Sequence, residues 1–528
     1  MPNLSPRELS KLVSRWAFIR EWQQDSVFKI KALQKIAQTL KTLNKEDILA
    51  GRCNHLFSSA SLKWIIAALS ENVFELLDHE QNKIPSGILE LSKVRGLSAA
   101  KCRQIYEALG VQDLSGLEQA CKEQRLLELK GFGKQSQDLI LEQVLFLKAS
   151  AGYVLYSEAC AIDFKIRSLI PDNIQMEPIG TFSRNMEIIN SMDYLVSDKD
   201  AVQACLNEHS FPVHIKLFPS DSEHWIFQKV LHTGPDHHLQ SIGFHELLSY
   251  KFENESQLYK ALNIPFVPAP QRDSFNIQKA ALPNYNPVAA NQIKGVLHVH
   301  TTYSDGSHTL QEMAGSVAQL GYSYLGVTDH SQSAFYANGL SEQRVLNQWT
   351  EIDQWNAQHP ECYIFKGIES DILNDGTLDY PNELLQGFDF VIASVHAQLQ
   401  MNRNKATNRL ITAIEHPATR ILGHMTGRLL LRRSGYDLDV PKVLQACAQN
   451  QVAVEINANP QRLDLDWRWI DYALEQGVWL AINPDAHSKE GLQDLHFGIK
   501  VAEKTGLKPE RCLNCLDKQL LLNFFKRA

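Results

Sequence analysis

The stretch Gly295-Val-Leu-His298-Val-His300-Thr-Thr-Tyr-Ser-Asp305 decides how this chain is read. Its apolar start has the composition of a β-strand, and it closes on two histidines one residue apart. Residues i and i+2 of a strand lie on one face, so both imidazoles point the same way, and Asp305 follows in a Ser/Asp/Gly turn. Alone, an H-x-H pair is weak ground for a metal site. The pattern of a short apolar run closing on a ligand-type residue then repeats toward the C-terminus. It recurs in Tyr324-Leu-Gly-Val-Thr-Asp329-His330, Tyr363-Ile-Phe-Lys-Gly-Ile-Glu369, Phe390-Val-Ile-Ala-Ser-Val-His396 and Arg420-Ile-Leu-Gly-His424. Val452-Ala-Val-Glu-Ile-Asn457 adds polar residues, and Trp479-Leu-Ala-Ile-Asn-Pro-Asp485-Ala-His487 ends the series. Helical stretches separate the runs, which is the alternation of βα units around a parallel sheet. A barrel of such units gathers the C-terminal ends of its strands on one face, where its chemistry sits. Histidines that merely filled a core would be scattered over both strand ends.

The rest of the chain sets bounds on this reading. Its 528 residues exceed one domain. A hydrophobic content of 44% with 21% charged residues describes a soluble globular protein. No apolar run approaches the roughly 20 residues that span a membrane, and the N-terminal stretch has no apolar signal core. Nine scattered cysteines suggest a reducing cytoplasm, and Cys512-x-x-Cys515 lacks the second pair a zinc site needs. Net charge is −8, which argues against a coat for nucleic acid, but it is uneven. Residues 1–150 hold 21 Lys and Arg against 17 Asp and Glu, so the acidity lies behind them. A basic front and an acidic rear fit a binding module joined to a carboxylate-rich site.

Up to about Leu147 the apolar spacing is helical. Leu91-Ser-Lys-Val94-Arg-Gly96-Leu97-Ser98 leads into Ala99 to Tyr106, and Leu126-Leu-Glu-Leu129-Lys-Gly131-Phe132-Gly133-Lys134 leads into Gln135 to Val144. Each puts a glycine turn before a helix N-terminus, where free N–H groups and the helix dipole favour a phosphate, with Lys101 and Lys134 adding charge. These segments resemble helix-hairpin-helix motifs, which grip the DNA backbone without reading sequence. The second is the closer match; in the first, Ser98 stands where the second glycine is usual. The resemblance implies DNA contacts at Gly96, Lys101, Gly131, Gly133 and Lys134.

The middle resembles the nucleotidyltransferase core of family X DNA polymerases. The likeness rests on Gly180-Thr-Phe-Ser-Arg184-Asn-Met-Glu187 followed by Ser191-Met-Asp193-Tyr-Leu-Val, with His232-Thr-Gly234-Pro and Leu262-Asn-Ile-Pro265-Phe-Val-Pro268 downstream. Asp25-Ser-Val-Phe-Lys-Ile-Lys-Ala-Leu is similar to the start of that family's small N-terminal domain. In the family, three Asp residues hold two Mg²⁺ ions. Here Ser191 replaces the first, Asp193 matches the second, and His214 stands at the third. One carboxylate of three predicts a palm that folds but does not polymerise.

From Gly295 the motifs H-V-H, T-D-H, G-I-E, S-V-H, G-H and P-D-A-H stand in the order of the PHP (polymerase and histidinol phosphatase) phosphoesterases, which this segment resembles. The resemblance implies a distorted (β/α)₇ barrel holding up to three metal ions. His298, His300, Glu369 and Asp485 would bind one; Glu369, His396 and His424 a second; Asp305, His330 and His487 a third. A His-rich, carboxylate-bridged site suits Mn²⁺ or Zn²⁺ better than Mg²⁺, and two close ions suit phosphoester hydrolysis. Glu369, His396 and Arg428 are the expected catalytic residues, with Arg432 or Arg433 also placed to meet a phosphate.

Together the pieces predict a multidomain α/β protein similar to bacterial-type family X polymerases that carry a PHP domain. Its parts are a helical DNA-binding domain at 1–150, a degenerate palm and fingers at 151–273, a linker at 274–290 and the PHP barrel at 291–528. The implied activity is 3′→5′ exonuclease or 3′-end processing in DNA repair, on gapped or single-stranded ends, by a cytoplasmic monomer. Two alternatives stay open: a small-molecule phosphatase acting on a histidinol-phosphate-like ester, and a non-catalytic DNA-binding scaffold.

Overall fold

The computed structural model describes residues 4–40, 43, 45–71, 77, 80–81, 83–85, 87–94, 96–247, 250–273 and 287–526. The chain divides into two compact units, Met1–Ala151 and Gly152–Ala528. Most of the expected linker, 274–286, lies outside the described residues.

The described part of the first unit is helical. Ser5 caps α1 (Pro6–Trp22) by accepting from the Glu8 N–H while the Glu8 carboxylate accepts from Ser5 N–H, a reciprocal pair that starts the helix. α1 packs lengthwise on α2 (Val27–Leu40) through Leu9, Val13 and Leu33, all buried. Gly96 (φ +88°) turns the chain into α3 (Ala99–Leu109), capped by Ser98, and Gly131 (φ +89°) turns it into α4 (Lys134–Ala149). Both turns need the left-handed backbone that glycine adopts freely.

The front of the second unit holds a three-stranded sheet. β1 (Met176–Ile179) runs antiparallel to β2 (Ser191–Val196), which pairs in parallel with β3 (His214–Pro219). The register sets Ser191 opposite His214 and Ile179 opposite Asp193. Gly180 (φ +67°) follows β1 so closely on Asp193 that a Cβ there would lie 2.9 Å from its carboxylate. The positions at which the family X resemblance places acids therefore do meet, occupied by Ser191, Asp193 and His214.

The barrel is a seven-stranded parallel sheet of sequential strands: β4 (Gly295–Val299), β5 (Tyr324–Val327), β6 (Tyr363–Asp371), β7 (Phe390–Ser394), β8 (Thr419–Leu422), β9 (Ala453–Asn457) and β10 (Leu480–Asn483). It is nearly closed: Val299 bridges Ala486 beyond β10, and His300 N–H donates to the Ala486 carbonyl (2.9 Å). Strands covered on both faces need continuous apolar runs, and every residue of β4, β5, β7, β9 and β10 is buried. The lower interior is filled by Leu297, Phe365, Phe390 and Ile421, and the last helix, α5 (Lys518–Phe525), stacks Phe525 on Phe390 with ring centroids 4.8 Å apart. The upper interior holds the histidines and carboxylates.

The sheet region and the barrel, set apart in the sequence as 151–273 and 291–528, fall within one compact unit. Fully buried Lys504 ties them: its ammonium donates to the Arg184 carbonyl (2.6 Å) and to Asp273 (2.9 Å). Glu187 accepts from Trp467 Nε1 (3.1 Å) and from Arg468 (2.7 Å). A buried ammonium is tolerated only with such partners.

Candidate metal centre

Each barrel strand delivers a ligand-type side chain to its C-terminal end. β4 places His298 inside the barrel and His300 just beyond it, both fully buried. β6 carries Glu369 and β7 is followed by His396; His424 follows β8 and Asp485 follows β10. Asp485 sits at φ +51°, a conformation Asp tolerates better than most residues.

The nine expected ligands converge. Glu369 is central: its Oε1 lies 3.0 Å from His424 Nε2, 3.2 Å from His396 Nε2 and 3.4 Å from His298 Nε2. Its Oε2 lies 3.0 Å from His330 Nδ1 and 3.6 Å from His300 Nε2. Asp485 Oδ1 is 3.2 Å from His300 Nε2 and 3.6 Å from His298 Nε2. At the rim, Asp305 Oδ1 is 3.3 Å from His487 Nε2 and 3.7 Å from His330 Nε2. Three groups could each share one ion: His298 with His300 and Asp485; His330 with Glu369 and His396; and His300 with Asp305, His330 and His487. The grouping differs from the sequence expectation in detail, since His330 faces Glu369 as well as Asp305.

The donor set fits divalent cations. His298 Nε2, both ring nitrogens of His300, His330 Nδ1 and Glu369 Oε2 are buried without a hydrogen-bond partner. Such orphans are costly, and one shared cation would satisfy several of them at once. Imidazole with carboxylate suits Zn²⁺ and Mn²⁺.

Around these lies a second set of side chains that hold the rings. Buried Glu455 places Oε1 2.6 Å from His298 Nδ1 and accepts the His424 N–H with Oε2 (2.9 Å). Asp371 pairs with His396 Nδ1. Asn457 donates to Asp485 (3.1 Å). Buried Asp329 accepts from Thr301, Ser304 and Gln348, fixing the turn that presents Asp305. Partners of this kind set ring orientation and basicity. Glu455 and Asp371 were not among the expected site residues. The available signal was a carboxylate inside an apolar strand, Val-Ala-Val-Glu455, and another two residues after Glu369.

The electrostatics are those of interleaved rings and carboxylates. Burial presses the His298 imidazole downward, but Glu455, Asp485 and Glu369 overcome it and hold its pKa well above the usual value. Burial likewise opposes His396 and His487, yet Glu369 and Asp371 raise the first to about 10 and Asp305 and Asp485 raise the second to about 9. His300 goes the other way, to about 3, through burial and the neighbouring His487 and His330. Glu369 and Asp485, though buried, are held well below the carboxylate range by the surrounding imidazoles. The site is strongly primed for positive charge.

Arg428 needs correcting. Its guanidinium is taken up by Asp466 and by the carbonyls of Arg462 and Leu463, so it braces a loop instead of meeting a phosphate. The cleft beside the cluster, about 300 Å³, is lined instead by Arg462 and Arg433, with Tyr336 and Leu399. Arg462 Nε lies 3.5 Å from Asp485 Oδ2. Arg433 donates to the Gly427 carbonyl (2.7 Å), and Arg432 is exposed.

In the first unit, Gly133 is the N-cap of α4 without a side-chain cap, and Lys134 is exposed beside it. Lys101 is less available than expected: its ammonium donates to the Gly96 carbonyl (3.1 Å) and lies over the Phe132 ring.

Comparison with known proteins bears on the whole arrangement. The family model described as PHP domain matches residues 297–459. The DNA polymerase/3′-5′ exonuclease PolX of Bacillus subtilis is 29% identical over 574 residues, covering 99% of each chain. The probable phosphatase YcdX of Shigella dysenteriae is 27% identical over 242 residues, covering 44% of this chain and 93% of its own. A solved histidinol phosphate phosphatase from Lactococcus lactis aligns with 41% of this chain and 94% of its own at 19% identity, with a TM-score of 0.32. No helix among the described residues is long and apolar enough to cross a membrane. Residues 297–459 thus match the PHP domain, and over nearly its whole length the chain is similar to a DNA polymerase/3′-5′ exonuclease of the PolX kind.

Proposed function

We propose that this chain is a metal-dependent phosphoesterase that trims DNA 3′ ends as a 3′→5′ exonuclease in repair, on a palm that does not polymerise. The observation that carries it is the set of buried, unpartnered ring nitrogens turned on shared carboxylates beside an arginine-lined cleft. Mn²⁺ or Zn²⁺, in up to three places, would supply an activated water there and neutralise charge on the phosphoester. His298, His300, Glu369 and Asp485, then His396 and His424, then Asp305, His330 and His487 would hold the ions. Glu455 and Asp371 keep the His298 and His396 rings aimed. Arg462, anchored beside Asp485, pairs with non-bridging phosphate oxygens, as a guanidinium does bidentately. The glycine turns at Gly96 and at Gly131 to Gly133, with exposed Lys134, grip backbone phosphate, and Lys101 joins them on release from the Gly96 carbonyl. Of the three palm positions that would carry acids, only Asp193 has a carboxylate, and its oxygen is already taken by the Ser191 hydroxyl; His214 brings no negative charge, so a pair of Mg²⁺ ions would have too few ligands.

The likeness to PolX over nearly the whole chain supports DNA as substrate. The small cleft and the likeness to YcdX favour a second reading, a phosphatase for small esters. One experiment separates them: 3′-labelled single-stranded and gapped DNA, and histidinol phosphate, incubated with Mn²⁺ and with His300→Ala as control. Shortened DNA, absent with the variant, is expected. Phosphate release from histidinol phosphate alone supports the second reading, and no turnover of either supports a scaffold. Primer extension with dNTPs and Mg²⁺ above background overturns the silent palm.

A further inference from the structure

The turn after β5 carries a feature that metal binding does not require. From His330 to Leu340 the chain closes on itself: Leu340 N–H donates to the His330 carbonyl (2.9 Å), and a Cβ on Gly339 would lie 1.9 Å from the Ser331 carbonyl. The loop is then fastened on two sides. Ser333 donates from its N–H to Asp379 (2.6 Å) and from its hydroxyl to Asp371 (2.9 Å), the carboxylate that holds the His396 ring. The Asn338 amide donates to the carbonyls of Tyr303 and Ser304 (3.3 and 3.2 Å), on the turn that presents Asp305. At its tip, a single helical turn (Phe335–Ala337) holds two adjacent aromatic side chains in water, Phe335 85% and Tyr336 68% exposed. The Tyr336 ring lies 6.1 Å from that of His330 and 6.5 Å from that of His396, at the lip of the cleft.

This arrangement does nothing for the core, since both rings face solvent while the loop beneath is held by hydrogen bonds. Exposed apolar surface at a functional cleft marks a contact, and a loop already ordered gives up little entropy in making one. A nucleobase is the partner whose flat face suits two aromatic rings, whatever its identity. Arg462 and Arg433 line the same cleft, so phosphate and base would have separate grips. At about 300 Å³ the cleft lies at the lower end of ligand pockets, roughly 300–1,000 Å³, which suits one nucleotide and not a duplex.

We propose that Phe335 and Tyr336 form a stacking platform for the nucleobase at a single-stranded 3′ end, holding the terminal phosphodiester against the metal centre. This rests on the nuclease reading and adds the part of the substrate that is gripped. It makes the base, as well as the phosphate, a determinant of cleavage, and it requires a paired 3′ end to fray before it is cut.

The test compares the full-length protein, loaded with Mn²⁺, on two oligonucleotides that differ only in having a base or an abasic residue at the 3′ terminus. The wild type is expected to favour the base-bearing end in kcat/KM by about 5- to 150-fold, the span of base–aromatic stacking, mostly through KM. In Phe335→Ala/Tyr336→Ala the ratio falls toward one, and Tyr336→Trp keeps it. In parallel, 2-aminopurine at the 3′ terminus is titrated with protein in chelator. Quenching by the wild type that is lost in the double variant, with an unchanged melting temperature, supports the platform whether or not turnover is seen. A wild-type ratio near one, a ratio that survives the double substitution, or equal quenching by both proteins overturns it. If the wild type releases phosphate from an aliphatic monoester and cuts neither oligonucleotide, the nuclease reading itself has failed, a result distinct from a DNA-cutting enzyme indifferent to the two rings.

Discussion

At the scale of single residues, the centre depends on side chains that never touch a substrate. Glu455→Gln keeps the shape but weakens the hold on the His298 ring and the His424 amide. Metal affinity is expected to fall by about 10- to 100-fold, measured by competition with a chromophoric chelator. The two arginines separate by readout. Arg462→Ala raises KM for the phosphoester with little change in melting temperature, whereas Arg428→Ala, which removes one of the two arginines on Asp466 and the donor to two carbonyls, lowers the melting temperature. The raised imidazoles give a pH dependence. His487 and His396 have folded pKa values of about 9 and about 10, above the usual histidine value. Their stabilisation of the metal-free chain is therefore fully present below about pH 6.5 and is lost as pH rises through 9 to 10. A metal ion needs the same rings neutral, so its binding at pH 7 is expected to release protons and to strengthen as pH rises. Calorimetric titration in buffers of different ionisation enthalpy measures the release, and thermal melts with and without chelator across that window measure the linkage.

At the scale of elements, the strands were legible because each is a buried apolar run that ends in a polar residue, a pattern contained within a few consecutive positions. What fills the barrel was not. Gly367 on β6 is glycine because Phe390 crosses the interior: a Cβ there would lie 2.7 Å from the Phe390 ring and 2.7 Å from the Val327 carbonyl. Gly367→Ala is expected to destabilise the chain by about 1–3 kcal/mol through overpacking, read by denaturant unfolding. The plug at the lower end comes from α5, more than a hundred residues further along the chain, and nothing local to Phe525 announces that it stacks on Phe390. The loop from His330 to Leu340 is a similar case. The T-D-H motif marked its start, but only the folded chain sets the Tyr336 ring beside His330 and His396.

At the scale of the molecule, the palm sheet and the barrel are joined by a buried charged contact where the sequence suggested a boundary. Lys504→Ala leaves the Arg184 carbonyl without its donor and leaves Asp273 with the Arg184 guanidinium alone. Breaking a buried pair in this way costs about 3–5 kcal/mol, and limited proteolysis is expected to cut the described region 250–273 sooner in the variant. Stripping the metal with a chelator is expected to lower the melting temperature of the second unit by mass action. Holding that temperature unchanged would argue that the cluster carries no ion.

The sequence by itself determined the alternation of strands and helices, the nine ligand-type residues, and Ser191 and His214 at positions where the family X resemblance places acids, because each is written within a short stretch. Tertiary structure decided which arginine stands at the cleft and which carboxylates steady the rings. Arg428 and Arg462 look alike in sequence, and His298 meets Glu455 across 157 residues. Such pairings are fixed by barrel closure, which brings strand ends together in space irrespective of their distance along the chain.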